Sequence, residues 1–170
     1  MIQVEIVGVR IEMPSNQPLV LLKERLGERH IPIWIGASEA TAIALAEQGV
    51  VPPRPLTHDL LCGVVVALGH RIVRVNLTKV EDGVFYAELV FDDGTTVGSR
   101  ASDAIAVAQR ADCSIWASEG LVEEAGVLIA DHDDSGEDGE TVDDDAEAKE
   151  REVRQFREFL NDVEPEDFEK

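Results

Sequence analysis

Between Asp131 and Glu147 the chain is built from Asp, Glu, Gly, Ser and Thr, with Val142 its single large apolar residue. Such a run cannot bury enough surface to offset the entropy of ordering it, so it reads as a disordered acidic linker. The burden of folding therefore falls on residues 1–130. A second, small amphipathic stretch occupies residues 148–170, where Val153, Phe156, Phe159 and Leu160 recur at helical spacing. At 170 residues and 44% hydrophobic content, this leaves one compact domain and a flexible C-terminal tail carrying a docking helix.

The charge follows the same division. Residues 131–170 hold 18 of the 35 acids but 5 of the 15 Lys and Arg residues, so most of the net charge of −20 belongs to the tail. The head remains mildly acidic and shows no basic footprint for tight, non-specific duplex binding. No apolar run reaches the roughly 18–20 residues of a spanning helix, and Met1-Ile2-Gln3-Val4 opens directly in a strand pattern. The expectation is a cytoplasmic protein without a membrane partner. Cys62 and Cys113 lack metal-ligand spacing and read as buried free thiols.

Within the head, Val4, Ile6, Val9 and Ile11 alternate in the strand manner, and Pro14-Ser15-Asn16 turns the chain into a second apolar run at residues 19–22. A third strand, roughly residues 29–35, leads through Gly36 into an Ala-rich helix with Ser38 as its expected cap. Pro52, Pro53 and Pro55 extend the next connection. Thr57 is then placed to cap a helix whose Leu60, Leu61, Val64, Val65 and Leu68 should face the core. A three-stranded meander follows, with turns at Asp82-Gly83 and Asp93-Gly94. Next come a helix of about ten residues capped by Ser102, a short strand at residues 114–116 and a last helix over residues 118–125. Strands and helices mixed without strict alternation predict an α+β fold, a mixed or antiparallel sheet with helices packed on it. Ser38-Glu39-Ala40 and Ser102-Asp103-Ala104 echo each other, either by internal duplication or by chance in low-complexity helices.

Three segments put polar residues where a helix begins, which is where unpaired backbone N–H groups and the helix dipole favour an anion. They are Ile33-Trp34-Ile35-Gly36 through Glu39, Pro53-Arg54-Pro55-Leu56-Thr57-His58-Asp59, and Arg100-Ala101-Ser102-Asp103. Phosphodiester hydrolysis needs acids able to hold a hard divalent cation, a base for water, and cations to stabilise the transition state. Glu39, Asp59 and Asp103 supply the acids and His58 the base. Arg54 and Arg100, with the hydroxyls of Thr57 and Ser102, form the phosphate clamp. The plainer account makes Thr57 and Ser102 helix caps and the three acids dipole partners. Arg100 is harder to explain that way, because nothing local requires a cation there. Phosphate-loop, zinc-pair, nucleophile-elbow and Cys-x-x-Cys motifs are missing, which argues against covalent Ser or Cys catalysis and against an organic cofactor.

These three segments also resemble the bacterial bifunctional nuclease family, which carries a Pro-Ile-Trp-Ile-Gly stretch, a Pro-Arg-Pro-x-Thr-His-Asp motif and an Arg-Pro-Ser-Asp-Ala motif. The likeness spans about residues 2–130, and the tail with Phe156-Arg157-Glu158-Phe159-Leu160 is similar to the C-terminal extension of actinobacterial members. The resemblance implies DNase and RNase activity on a nucleic-acid substrate; the acids make Mg²⁺ or another divalent ion the candidate cofactor, and the tail helix, which can dock on this domain, another subunit or a partner, leaves a homo-oligomer as a candidate assembly. Three positions depart from the pattern. Ala101 replaces the usual proline, which should loosen the loop holding Arg100; Gly98 stands where many members have an acid; Ser114 replaces a proline. The competing readings are a non-catalytic module that binds an anion or a protein, and a plain structural protein.

Overall fold

The computed structural model describes residues 1–129. The expected linker at 131–147 and the amphipathic helix at 148–170 lie outside the described residues. Eight strands form one sheet: β1 (Ile2–Glu12), β2 (Gln17–Glu24), β3 (Arg29–Trp34), β4 (Ile72–Glu81), β5 (Val84–Phe91), β6 (Thr96–Arg100), β7 (Ser114–Ala117) and β8 (Val127–Leu128). Four helices accompany them: α1 (Ala37–Glu47), α2 (Thr57–Ala67), α3 (Ala101–Ala111) and α4 (Glu119–Ala125). The fold is α+β, as the mixed order of elements predicts.

The sheet runs β6-β5-β4-β7-β1-β2-β3-β8. All pairs are antiparallel except β4 and β7, which run parallel through Arg74–Ser114 to Leu77–Ala117. Two meanders are thus joined by β7. The hairpin between β4 and β5 closes on Asp82 and Gly83, both with positive φ (50° and 77°), the conformation a two-residue primed turn demands.

The two meanders are built alike. β1, β2 and β3 lead into the Ala-rich α1, and β4, β5 and β6 lead into the Ala-rich α3, each helix 11 residues long. The two helices pack on each other, α1 over β1 and β2 and α3 over β4, β5 and β7. Their small side chains allow this close approach, and Ala104, Ala106 and Ala108 of α3 are almost wholly buried. The echo of Ser38-Glu39-Ala40 in Ser102-Asp103-Ala104 therefore falls at equivalent points of two like units, as an internal duplication would place it. Beneath the helices lie Val20, Leu22, Ile31, Ile33, Val75 and Leu77, each at most 2% exposed. Burial of such side chains contributes about 1.5–3 kcal/mol apiece.

Helix α2 departs from expectation. It packs chiefly on α3, and only Cys62 and Val65 turn towards the core. Leu60, Leu61, Val64, Val66 and Leu68 are exposed, and the helix has no fully buried residue. An apolar stripe at helical spacing states only that a face is apolar, not what it meets. The free thiols are also more open than expected. Cys62 and Cys113 are half-buried, and burial pushes both thiols up, Cys113 to about 11. Both are therefore protonated and poor nucleophiles at neutral pH.

Candidate functional site

The three helices that follow β3, the proline-rich connection and β6 all begin on the same cleft. Its volume is about 750 Å³, and its wall includes Glu39 of α1, Thr57 and His58 of α2, and Arg100 and Asp103 at the start of α3. First-turn N–H groups from three helices at one opening make a site suited to an anion.

The helices begin one or two residues earlier than the hydroxyls suggest. Gly36, Leu56 and Arg100 hold the N-cap positions, so Thr57 is the first residue of its helix and Ser38 and Ser102 the second. None of the three hydroxyls serves as the cap. The consequence is a common register, with Glu39, Asp59 and Asp103 each third in its helix. A carboxylate at this position reaches back to the N-cap residue, and each uses that reach differently.

Asp59 turns inward. It accepts the Leu56 N–H at 2.7 Å and pairs with Arg110 of α3 at 2.5 Å. Burial would raise its pKa, but the Leu56 N–H and Arg110 outweigh that and hold it below the ordinary value. Asp59 is absent from the cleft wall and instead lines a neighbouring depression with Arg110. Arg110 also donates to Ala106 O at 2.8 Å and to Ala42 O of α1 at 3.1 Å. One nearly buried guanidinium thus ties the beginning of α2 to α1 and α3. Nothing in the local sequence marks Arg110, because two of its three partners, Asp59 and Ala42, lie far away in the chain.

Asp103 and Glu39 face the cleft. Arg100 donates to Asp103 through Nε at 2.5 Å and through Nη2 at 2.9 Å, and Nη2 lies 2.9 Å from Glu39 Oε1. The guanidinium thus bridges α1 and α3 while staying 68% exposed. His58 Nε2 lies 3.1 Å from Asp103 Oδ1. Although burial would raise the Asp103 carboxyl, Arg100 and His58 outweigh it and keep it below the ordinary aspartate range. His58, Asp103, Arg100 and Glu39 therefore form one connected chain of polar contacts.

Arg100 is not held by a loop. It is the last residue of β6, paired with Tyr86 of β5, and at once the N-cap of α3. The loosening expected from Ala101 has no loop to act on, and Ala101 itself is buried. Ser114, another of the three departures, accepts a hydrogen bond from Trp116 Nε1 at 2.9 Å. At the other side Glu39 folds back over Gly36, where a Cβ would lie 2.3 Å from Glu39 Oε2, the far end of a flexible side chain.

Besides Asp59, two expected members stand apart. Arg54 is exposed in the proline-rich connection, is absent from the cleft wall and makes no hydrogen bond or ion pair among the described residues. Ser102 is half-buried and likewise absent from the wall. A divalent cation in the cleft would be held by Glu39 and Asp103, in competition with the guanidinium that bridges them. Among the described residues the compact set of three potential ligands lies elsewhere, at exposed His70, Asp92 and Asp93.

Two curated relatives, uncharacterised proteins of Mycobacterium tuberculosis strains CDC 1551 / Oshkosh and ATCC 25618 / H37Rv, are each 47% identical over 166 residues. The alignments cover 98% of this chain and 97% of each relative, so the likeness runs through the acidic tail as well as the head. The sequence model of the bifunctional nuclease domain matches residues 20–130, which include Glu39, His58, Arg100 and Asp103. The chain belongs to the bifunctional nuclease domain family.

Proposed function

We propose that the cleft hydrolyses phosphodiester bonds of DNA or RNA, with His58 as the proton-transfer group and Arg100 as the cation that meets the phosphate. The observation that carries this reading is the shared carboxylate of Asp103, which holds both groups at the mouth of three helix N-termini. Asp103 fixes the imidazole through Nε2, leaving Nδ1 to accept a proton from water. The water oxygen bonds to phosphorus, the bond to the leaving oxygen breaks, and the proton held by His58 goes to that oxygen. Exposed Arg100 neutralises the charge that develops on the phosphoryl oxygens. A divalent ion held by Glu39 and Asp103 would add Lewis-acid stabilisation of that charge. Thr57, on the cleft wall, is assigned a supporting role beside the phosphate; Ser102 and Arg54, which stand off that wall, are assigned roles along the strand beyond the cleft, and Asp59 the positioning of His58 from behind.

A non-catalytic role draws support from one observation. Glu39 and Asp103 already satisfy Arg100, so the cluster also works as a clasp between α1 and α3. Cleavage of single-stranded DNA and RNA by the purified protein, with Mg²⁺ and with chelator, separates the two. Hydrolysis by the native chain and its loss in Arg100→Ala supports the nuclease. Identical cleavage by both proteins, or none by either, sinks it.

A further inference from the structure

Trp34 ends β3 with its side chain turned away from the core. Ile31 and Ile33 of the same strand are at most 2% exposed, whereas Trp34 is 50% exposed. The indole is nonetheless held in place. Its Nε1 donates to Glu12 Oε2 at 3.0 Å, and the same oxygen accepts the Ser15 hydroxyl at 3.1 Å. One edge of the ring is thus tied to the β1–β2 hairpin while half of the side chain stays open to water. A fixed, open aromatic surface is what an unpaired nucleobase stacks on. We infer that Trp34 is a base-stacking platform for the nucleic acid that enters the cleft, and that the substrate is therefore a single strand. The inference rests on the phosphodiester reading of that cleft.

Trp34 is absent from the cleft wall but stands beside it. Two chain steps separate it from Gly36, about 7 Å at full extension, and Gly36 lies under the Glu39 carboxylate, which belongs to the wall. One strand can then set a base on Trp34 and, a few nucleotides further on, a phosphate in the cleft. The two like units divide these tasks. Trp34 precedes the Gly36 N-cap by two residues, and its counterpart two residues before the Arg100 N-cap is exposed Gly98. The unit that offers a ring has no cation at its N-cap, and the unit that offers the cation has no ring. Charge points the same way. The head is mildly acidic, so phosphate contacts alone supply little affinity, whereas stacking is independent of charge and tolerant of sequence. A duplex keeps its bases stacked on one another and has no free face for the indole.

Binding of oligothymidylate in the presence of chelator tests the inference without hydrolysis. In Trp116→Phe, which leaves Trp34 as the single tryptophan, the strand should quench the indole fluorescence. The native protein should bind oligothymidylate about 5- to 150-fold more tightly than an abasic tetrahydrofuran strand of the same length, the range expected for one base on an aromatic ring. Trp34→Ala should bind the two strands alike. Trp34→Phe, which keeps a ring but loses the hydrogen bond to Glu12, should retain most of the preference. Equal binding of both strands by the native protein overturns the inference, as does a preference that survives in Trp34→Ala; either result leaves the nuclease reading standing wherever cleavage is seen. A Trp34-dependent preference in a protein that cleaves no strand with Mg²⁺ supports the platform and sinks the nuclease instead.

Discussion

His58 and Asp103 are 45 residues apart in sequence and belong to different helices, yet their side chains meet at 3.1 Å in the mouth of the cleft. The carboxylate meets the imidazole while Arg100 and His58 outweigh burial and hold the Asp103 carboxyl below its ordinary value.

His58→Ala should therefore lower nuclease turnover by about 10²- to 10⁴-fold, the usual contribution of a positioned acid–base group. Asp103→Asn should lower it as well, because the imidazole loses the carboxylate that orients it and Arg100 loses a partner. Turnover against pH for both variants, with melting temperatures alongside, checks this. Unaltered turnover in His58→Ala would remove the imidazole from the chemistry.

Gly36→Ala tests the clamp without touching a charged group. The added Cβ meets the far end of Glu39, a flexible side chain, so the carboxylate swings away from Arg100 at little cost in stability. The expected result is reduced turnover with a melting temperature within a few degrees of the native one. Equal losses of activity and stability would mean that the backbone, not Glu39, has moved.

Arg110→Met should destabilise the head far more than any change at the cleft mouth. It leaves Asp59 without its partner and frees Ala42 O, for a cost of about 2–4 kcal/mol. Arg54→Met, at an exposed position without a described partner, should change stability by less than about 0.5 kcal/mol. Urea unfolding of the two variants provides the comparison.

Acid should loosen the same junctions. Asp59 and Asp103 titrate below their ordinary value near 3.8, so the native state binds fewer protons than the unfolded chain there. Their stabilisation is complete above that value and is lost as pH falls through the depressed folded values. Removing both carboxylates, in Asp59→Asn with Asp103→Asn, should flatten the decline of melting temperature at pH below about 4.

Local periodicity made much of this fold legible. The two meanders, α1, α3 and α4 follow from alternation, Asp-Gly turns and Ala-rich runs, each a property of adjacent residues. The parallel pairing of β4 with β7 and the short β8 are decided by distant chain, and no window of sequence contains them. The helix starts were misplaced for a related reason. Thr57, Ser38 and Ser102 are common caps, but Leu56, Gly36 and Arg100 take those positions, and at α2 the Asp59 carboxylate accepts the Leu56 N–H in place of a hydroxyl. Glu39, His58, Arg100 and Asp103 could be gathered from three separate motifs because all four belong to helix beginnings. Asp59 has the same local sequence logic, and only the tertiary presence of Arg110 turns it away from the cleft.

The near-equivalence of the two meander-helix units gives the cleft a direction. At matching N-cap points one unit offers Gly36 and the other Arg100, while the carboxylates three residues on, Glu39 and Asp103, are retained in both. Two identical halves would treat either end of a bound strand alike. Here one N-cap has no side chain and lies under the Glu39 carboxylate while the other carries a guanidinium, so a linear polyanion placed across the opening would meet inequivalent ends before any base is read.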